Sequence, residues 1–307
     1  MSFRPVEKID LHVHTSESKW FSGSAEARYA TPEELLAIYE TIGVGRGVLL
    51  PEIAVEGGFV LSSNYEIWQV VQKYQDRFSW FCNVDPRQGT NSPETDFKPF
   101  LRQCMEFGAK GLGEMCYNLP FTDPMCRNLF RQLGELGLSA IFHIGNPGGD
   151  YGVVDSLGLP GLERTLADFP DFCLIGHSQK FWAEISGDVT ESVRDGYPTG
   201  KVVPGGRLPE LMRTYPNLRA DLSAGSGYNA LARDPEHAWE FLEEFKDRLY
   251  FGTDICDPRN ITSPMLKLSA FLDDACANGR ISREAYYKIS RGNAEKLLGL
   301  EPAGFDD

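Results

Sequence analysis

The residues best placed to do chemistry are histidines and carboxylates at the ends of short apolar runs. His12 and His14 lie two residues apart in Ile9-Asp10-Leu11-His12-Val13-His14-Thr15. On a β-strand that spacing sends both imidazoles from one face. Two neutral imidazoles so placed can grip one divalent ion. Ile9, Leu11 and Val13 alternate with Asp10, His12 and His14, which divides the run into an apolar and a polar face. An ordinary half-buried strand alternates in the same way, so the pair alone is a weak signal. The chain has only 5 histidines, and two more fall in similar runs. His143 is near the end of Ser139–Ile144, and His177 closes Phe172–His177. Asp254 closes Leu249–Asp254, and Glu114 sits near the end of Ala109–Met115. Each histidine taken singly reads more simply as a satisfied core residue. Four together at strand ends favour a shared site, and imidazole with carboxylate suits zinc, manganese or iron. His237, in the helical stretch Asp234–Phe245, reads as an ordinary helix residue without a catalytic role.

These side chains need elements that converge. Besides the runs already named, Arg46–Leu50, Phe78–Val84 and Leu218–Ser223 also read as strands, which makes eight. Helical patterns lie between them. Thr31-Pro32-Glu33-Glu34 is a cap, a first-turn proline and a capping-box glutamate. Leu35, Ile38, Tyr39 and Ile42 follow at helical spacing, with Gly43 as a stop. Asp123-Pro124 opens another helix, with Gly137 as its terminator. Ser92-Pro93, Asp234-Pro235 and Ser263-Pro264 repeat the cap-plus-proline signal. Alternating strands and helices imply parallel strands with right-handed crossovers. Eight such units over residues 1–307 fit one α/β domain, a (β/α)8 TIM barrel. A doubly wound open sheet is the alternative. No glycine-rich phosphate fingerprint follows the first strand, which counts against a nucleotide-binding version. The connections after strands one and six are long, as lids and substrate walls are. Both leave the C-terminal ends of strands, where barrel enzymes keep their active sites. Trp20 and Phe21 after the first strand, Tyr117 and Asn118 after the fourth, Lys180, Phe181 and Trp182 after the sixth, and Arg259 and Asn260 after the eighth are candidates to face a small, partly apolar acid. Ordinary loop packing is the plainer reading of any one of them.

Composition narrows the classes. The 307 residues are 42% hydrophobic, enough for a large core, with no apolar run of membrane-spanning length. The first eight residues lack the apolar core of a signal peptide. The 7 cysteines are scattered and unpaired in spacing, as in a reducing compartment. A cytoplasmic location is the expectation, and a homo-oligomer is compatible with it. The net charge of −14 argues against nucleic acid or an anionic membrane as partner and leaves a small-molecule substrate.

The ordered set of H-x-H, histidine, histidine and aspartate resembles the amidohydrolase superfamily, in the branch called amidohydrolase-2. Tyr215-Pro216-Asn217-Leu218, Asp221-Leu222-Ser223-Ala224 and the closing Gly292-Asn293-Ala294-Glu295-Lys296-Leu297-Leu298 are similar to that branch as well. The resemblance implies a TIM barrel in which His12, His14, His143 and Asp254 hold a catalytic metal. His177 is then either a ligand to a second metal or a catalytic group beside the first. Many members carry a carbamylated lysine on strand four. Here Glu114 occupies that zone and Lys110 falls too early. A glutamate can bridge two ions, as in related deoxyribonucleases, or merely hydrogen-bond a ligand, so one or two ions stay open. The implied activity is a hydrolase that activates water to cleave an amide, ester or lactone, with Asp254 moving the proton. A metal-dependent decarboxylase of an aromatic or unsaturated acid is the alternative. A nuclease-like phosphoesterase and a non-catalytic barrel are further readings, the former disfavoured by the acidic chain.

Overall fold

The computed structural model describes residues 3–20, 27–59 and 61–304; Phe21 falls outside them. Nine strands are present among the described residues, β1 (Lys8–Val13), β2 (Val44–Leu49), β3 (Phe78–Trp80), β4 (Leu112–Met115), β5 (Ala140–Gly145), β6 (Val153–Val154), β7 (Leu174–His177), β8 (Leu218–Asp221) and β9 (Leu249–Tyr250). All pair in parallel, as β1-β2-β3 and as β4-β5-β7-β8-β9, with β6 added beside the end of β5. Backbone hydrogen bonds bridge both gaps. Cys82 N donates to Gly111 O at 2.9 Å and Gly113 N to Cys82 O at 2.9 Å. On the other side Leu11 N donates to Phe251 O, His14 N to Ile255 O and Asp254 N to His12 O, all within 3.0 Å. The eight expected strands therefore form a TIM barrel, and the two-residue β6 is an addition within the connection from β5 to β7.

Alternation along the strands sorts the core into two layers. Leu11, Val48, Phe81, Ile141, Ile175 and Tyr250 form an inner cluster, joined by Ala294 and Leu298 of the last helix. Val13, Leu49, Trp80, Phe142, Leu174 and Leu249 pack outward with the helices. Strand β1 breaks the strict alternation expected of it. Its pairing with β2 shifts between Asp10 and Val13. Asp10 turns outward, where it accepts from Tyr39 Oη at 2.8 Å, while His12 and His14 both reach the mouth. A register shift of this kind re-aims side chains beside a site.

The helix Pro32–Ile42 has the full capping box at Thr31 and Glu34, and Gly43 closes it with φ 70°. Asp123 caps the helix Pro124–Leu136, which Gly137 ends with φ 69°. The other proline signals behave differently. Ser92-Pro93 makes a turn, because Ser92 Oγ and O bond Glu94 N and Thr95 Oγ1 locally. The helix there starts only at Lys98. Asp234 precedes the helix Pro235–Glu244 but spends its carboxylate on Val202 N at 3.0 Å. Ser263-Pro264 opens a short 3-10 turn, Pro264–Leu266.

The connection after β7 is folded rather than open, with helices Gln179–Ala183, Glu191–Arg194 and Arg207–Thr214. Fully buried Arg194 ties it down, Nε to Glu184 Oε1 at 3.0 Å and Nη1 to Asp155 O at 2.9 Å. At the far end of the barrel Asn293 Nδ2 donates to Lys246 O and Leu249 O, docking the last helix, Asn293–Leu298, beneath β9. Among the described residues no helix is long and apolar enough to cross a membrane.

Candidate metal centre

Six side chains from five strand ends meet at the C-terminal mouth. His12 and His14 approach Nε2 to Nε2 at 3.2 Å. Glu114, from β4, stands between two pairs of histidines. Its Oε2 lies 3.4 Å from Nε2 of both His12 and His14. Its Oε1 lies 3.0 Å from His143 Nδ1 and 3.6 Å from His177 Nε2. Asp254 completes the ring, with Oδ1 3.5 Å from His12 Nε2 and Oδ2 3.6 Å from His177 Nε2. Its backbone is left-handed, φ 60°, which lets the chain turn sharply after β9 while Asp254 N bonds His12 O. Three overlapping donor groups result, His12/His14/Glu114, Glu114/His143/His177 and His12/His177/Asp254, each with ligand atoms within 4.8 Å of one another. The arrangement brings together every metal-ligand candidate read from the sequence.

The donors fit a cation. Imidazole and carboxylate oxygen are the ligands of zinc, manganese and iron. Five of the six residues are nine-tenths or more buried, and acidic and basic groups buried this close together suit a cation between them. The residues behind them are set to orient ligands. Asp221 on β8 accepts from His12 Nδ1 at 2.6 Å, His14 Nδ1 meets Leu50 O at 3.1 Å, and His177 Nδ1 meets Ser223 Oγ at 2.9 Å. Such partners fix the ring and leave the other nitrogen for a metal. Asp221 and Ser223 belong to a stretch that resembled the family, yet their roles were not legible. Asp221 ends β8 but falls two residues inside the run read from sequence as a strand, and its tie to His12 spans the barrel.

Charge divides the centre. At His12 burial works against protonation, but Glu114, Asp221 and Asp254 outweigh it and hold the pKa well above the usual imidazole value. His14 is raised in the same way. His177 is pushed down to about 3 by burial and by His12. Burial raises Glu114, yet its histidines win and hold it well below the usual carboxylate range. Asp254 is raised to about 6, chiefly by burial. On the outer side of β1, Asp10 is raised to about 6 by burial, against hydrogen bonds from Thr253 and Tyr39.

The expected substrate-facing residues divide. Arg259 lines a cavity of about 420 Å3 over the centre, together with Arg28, Tyr29, Glu52 and Cys116. Trp20 is 70% exposed on the loop after β1. Trp182 is buried and donates from Nε1 to Asp221 O at 3.0 Å, so it braces the carboxylate behind His12. Tyr117 is buried, its hydroxyl on Met115 Sδ. Buried Lys180 reaches Asn146 Oδ1 at 2.6 Å. None of these four lines either cavity that opens on the centre. A second cavity, about 550 Å3, opens past Asp254 and His177. Its walls include Tyr151, Tyr197 and Tyr228, which sequence reasoning missed because they come from connections whose course no periodicity reveals.

The family model Amidohydrolase, of the amidohydrolase-2 branch, matches residues 9–300. The chain belongs to the amidohydrolase-2 family. Solved structures share the fold at low identity. A TIM-barrel protein of Bordetella bronchiseptica is 17% identical with a TM-score of 0.62, over 95% of this chain and 98% of that one. A probable 2-pyrone-4,6-dicarboxylic acid hydrolase of Acinetobacter baumannii is 14% identical with a TM-score of 0.58, over 96% and 100%. The 5-carboxyvanillate decarboxylase of Sphingomonas paucimobilis is 15% identical with a TM-score of 0.60, over 96% and 100%. No curated protein matches the chain.

Proposed function

We propose that the chain is a metal-dependent hydrolase that cleaves an amide, ester or lactone bond of a small organic molecule. The observation that carries this reading is the position of Asp254, with one oxygen toward His12 and the other toward His177. A carboxylate so placed can touch an ion and hold the attacking water at once. Divalent ions, with zinc, manganese and iron as candidates, would be held by His12, His14 and Asp254 on one side and by His143 and His177 on the other. Glu114, with one oxygen toward each histidine pair, would join the two sides and favours two ions over one. When bound, such ions supply Lewis acidity that makes water more acidic and polarises a carbonyl. Asp254 then takes the proton from the attacking water and returns it to the leaving group. Asp221 and Ser223 keep the rings of His12 and His177 from turning away.

Elemental analysis of the purified protein, followed by assays on matched esters, lactones, amides and aromatic acids, tests the reading. Metal near two equivalents with turnover of a hydrolysable bond supports it. Release of carbon dioxide from an aromatic or unsaturated acid, without hydrolysis of any panel member, replaces it with the decarboxylase. Absence of metal binding on titration of the stripped protein removes it altogether.

A further inference from the structure

The two cavities that open on the centre differ in charge. The one over His14 carries Arg28 and Arg259, each already paired, Arg28 with Glu34 at 2.6 Å and Arg259 with Asp257 at 2.7 Å. Among the described residues, the one past His177 has neither lysine nor arginine in its wall, and Asp254 is its one carboxylate. It is built mainly from the helix Ala224–Ala232. Ala224, Gly225, Tyr228, Asn229 and Ala232 lie on one face of that helix and all line the space. Opposite them stand Tyr151, whose ring centre is 4.5 Å from that of His143, and Tyr197. Tyr197 can lie against the helix because residue 225 is glycine. A Cβ there would sit 3.1 Å from the Tyr197 ring. Besides Asp254 and the two imidazoles, its polar groups are the uncharged hydroxyls of the tyrosines and Ser263, the Cys256 thiol and the amides of Gln179, Asn229 and Asn260. Asn229 Nδ2 is already held by Pro198 O at 3.0 Å, which fixes the side chain. The nearby cation Lys180 is buried and bonded to Asn146.

From this we infer that the cavity past His177 receives an uncharged aromatic or similarly flat ring of the substrate, and that it excludes an anionic arm. A carboxylate entering there would lose its water, find no lysine or arginine among the described residues of the wall and face Asp254. A ring would stack among tyrosines and bury apolar surface at no charge cost. This inference rests on the proposed metal centre, and it adds which side of that centre takes the neutral half of the substrate.

The test uses three hydroxamates, which share one metal-chelating head, titrated calorimetrically into the metal-loaded full-length protein. Acetohydroxamate lacks the ring, benzohydroxamate has it, and 4-carboxybenzohydroxamate adds a charge to it. Benzohydroxamate should bind about tenfold or more tighter than acetohydroxamate, and the carboxylated ring should lose most of that gain. Tyr228→Ala should remove the ring's advantage and leave acetohydroxamate binding unchanged. Asn229→Lys should bring the carboxylated ring level with the plain one or above it. Equal binding of all three, tighter binding of the carboxylated ring to the wild type, or a ring advantage that survives Tyr228→Ala would overturn the inference while the metal centre stands. Failure of every hydroxamate to bind would instead strike the metal reading and the inference together.

Discussion

The two sides of the candidate centre use the same ligand type in opposite electrostatic settings. His12 and His14 are surrounded by Glu114, Asp221 and Asp254, and both hold protons more tightly than a free imidazole. His177, across the mouth, meets the same carboxylates at 3.6 to 3.7 Å, but burial together with His12 and His143 outweighs them, and its pKa falls to about 3. Burial is near complete on both sides, so burial alone does not decide the charge of a histidine here. The neighbours decide it. Without a cation, one side fills its surplus of negative charge with protons. On the other side His177 resists protonation and keeps its lone pair free.

Four experiments break or sharpen this contrast. Glu114→Gln should act on both sides at once, because its two oxygens face different histidine pairs. Bound metal should fall from about two equivalents to about one, and activity should vanish, since the charge between two cations is lost. Unchanged stoichiometry by elemental analysis would reduce Glu114 to a hydrogen-bond partner. Asp254→Asn keeps the shape and an oxygen donor but removes the base. Turnover should fall by about two to four orders of magnitude while part of the metal stays. Near wild-type turnover would take Asp254 out of proton transfer.

Asp221→Asn acts chiefly on the His12 side, where the carboxylate lies 2.6 Å from His12 Nδ1 against 3.7 Å from His177 Nδ1. It should weaken metal binding about 10- to 100-fold, the usual cost of losing a ligand's orienting carboxylate. A competition titration with a chelator reads this directly, and an equal loss in Ser223→Ala would contradict the asymmetry. The smallest effect is on stability against pH in metal-stripped protein. His12 has a raised folded pKa, so its contribution is complete below its ordinary value of 6.5 and is lost as pH rises through the raised value. His177 runs the other way. Its ordinary value is 6.5 and its folded value about 3, so the unfolded chain gains a proton first and stability is lost as pH falls through that window. His177→Asn should therefore lose less stability between pH 6.5 and 5 than the wild type does, in denaturant titrations at each pH. A steeper loss in the variant would mean that His177 is charged when folded.

The fold was legible because strands buried on both faces read as apolar runs, and those runs bound the eight barrel strands. The two-residue β6 is too short to leave such a trace. At the centre, His12, His14, His143, His177, Glu114 and Asp254 could be gathered because scarce histidines marked strand ends. What spacing could not show was how β1 presents two adjacent-parity problems at once. Leu11 stays in the inner cluster and His12 also faces the mouth, which takes a register shift that strict alternation forbids. Asp221 was hidden for another reason, since its bond to His12 joins residues 209 apart in sequence. Trp182, Tyr117 and Lys180 follow strand ends as substrate groups would. Their burial depends on the folded connection above the barrel, and no local pattern reports it.

The seam between β1 and the segment after β9 has a temporal consequence. Asp254 N bonds His12 O, and His14 N bonds Ile255 O. Three of the six donors, His12, His14 and Asp254, thus come together only when the earliest strand meets the segment after the latest one, across nearly the whole contour of the chain. Loop closure over that distance is slow and comes late. A nascent polypeptide emerging from the ribosome can shape β2 to β8, yet it offers an ion only an incomplete set of ligands. The full set of six donors therefore exists only in the finished ring.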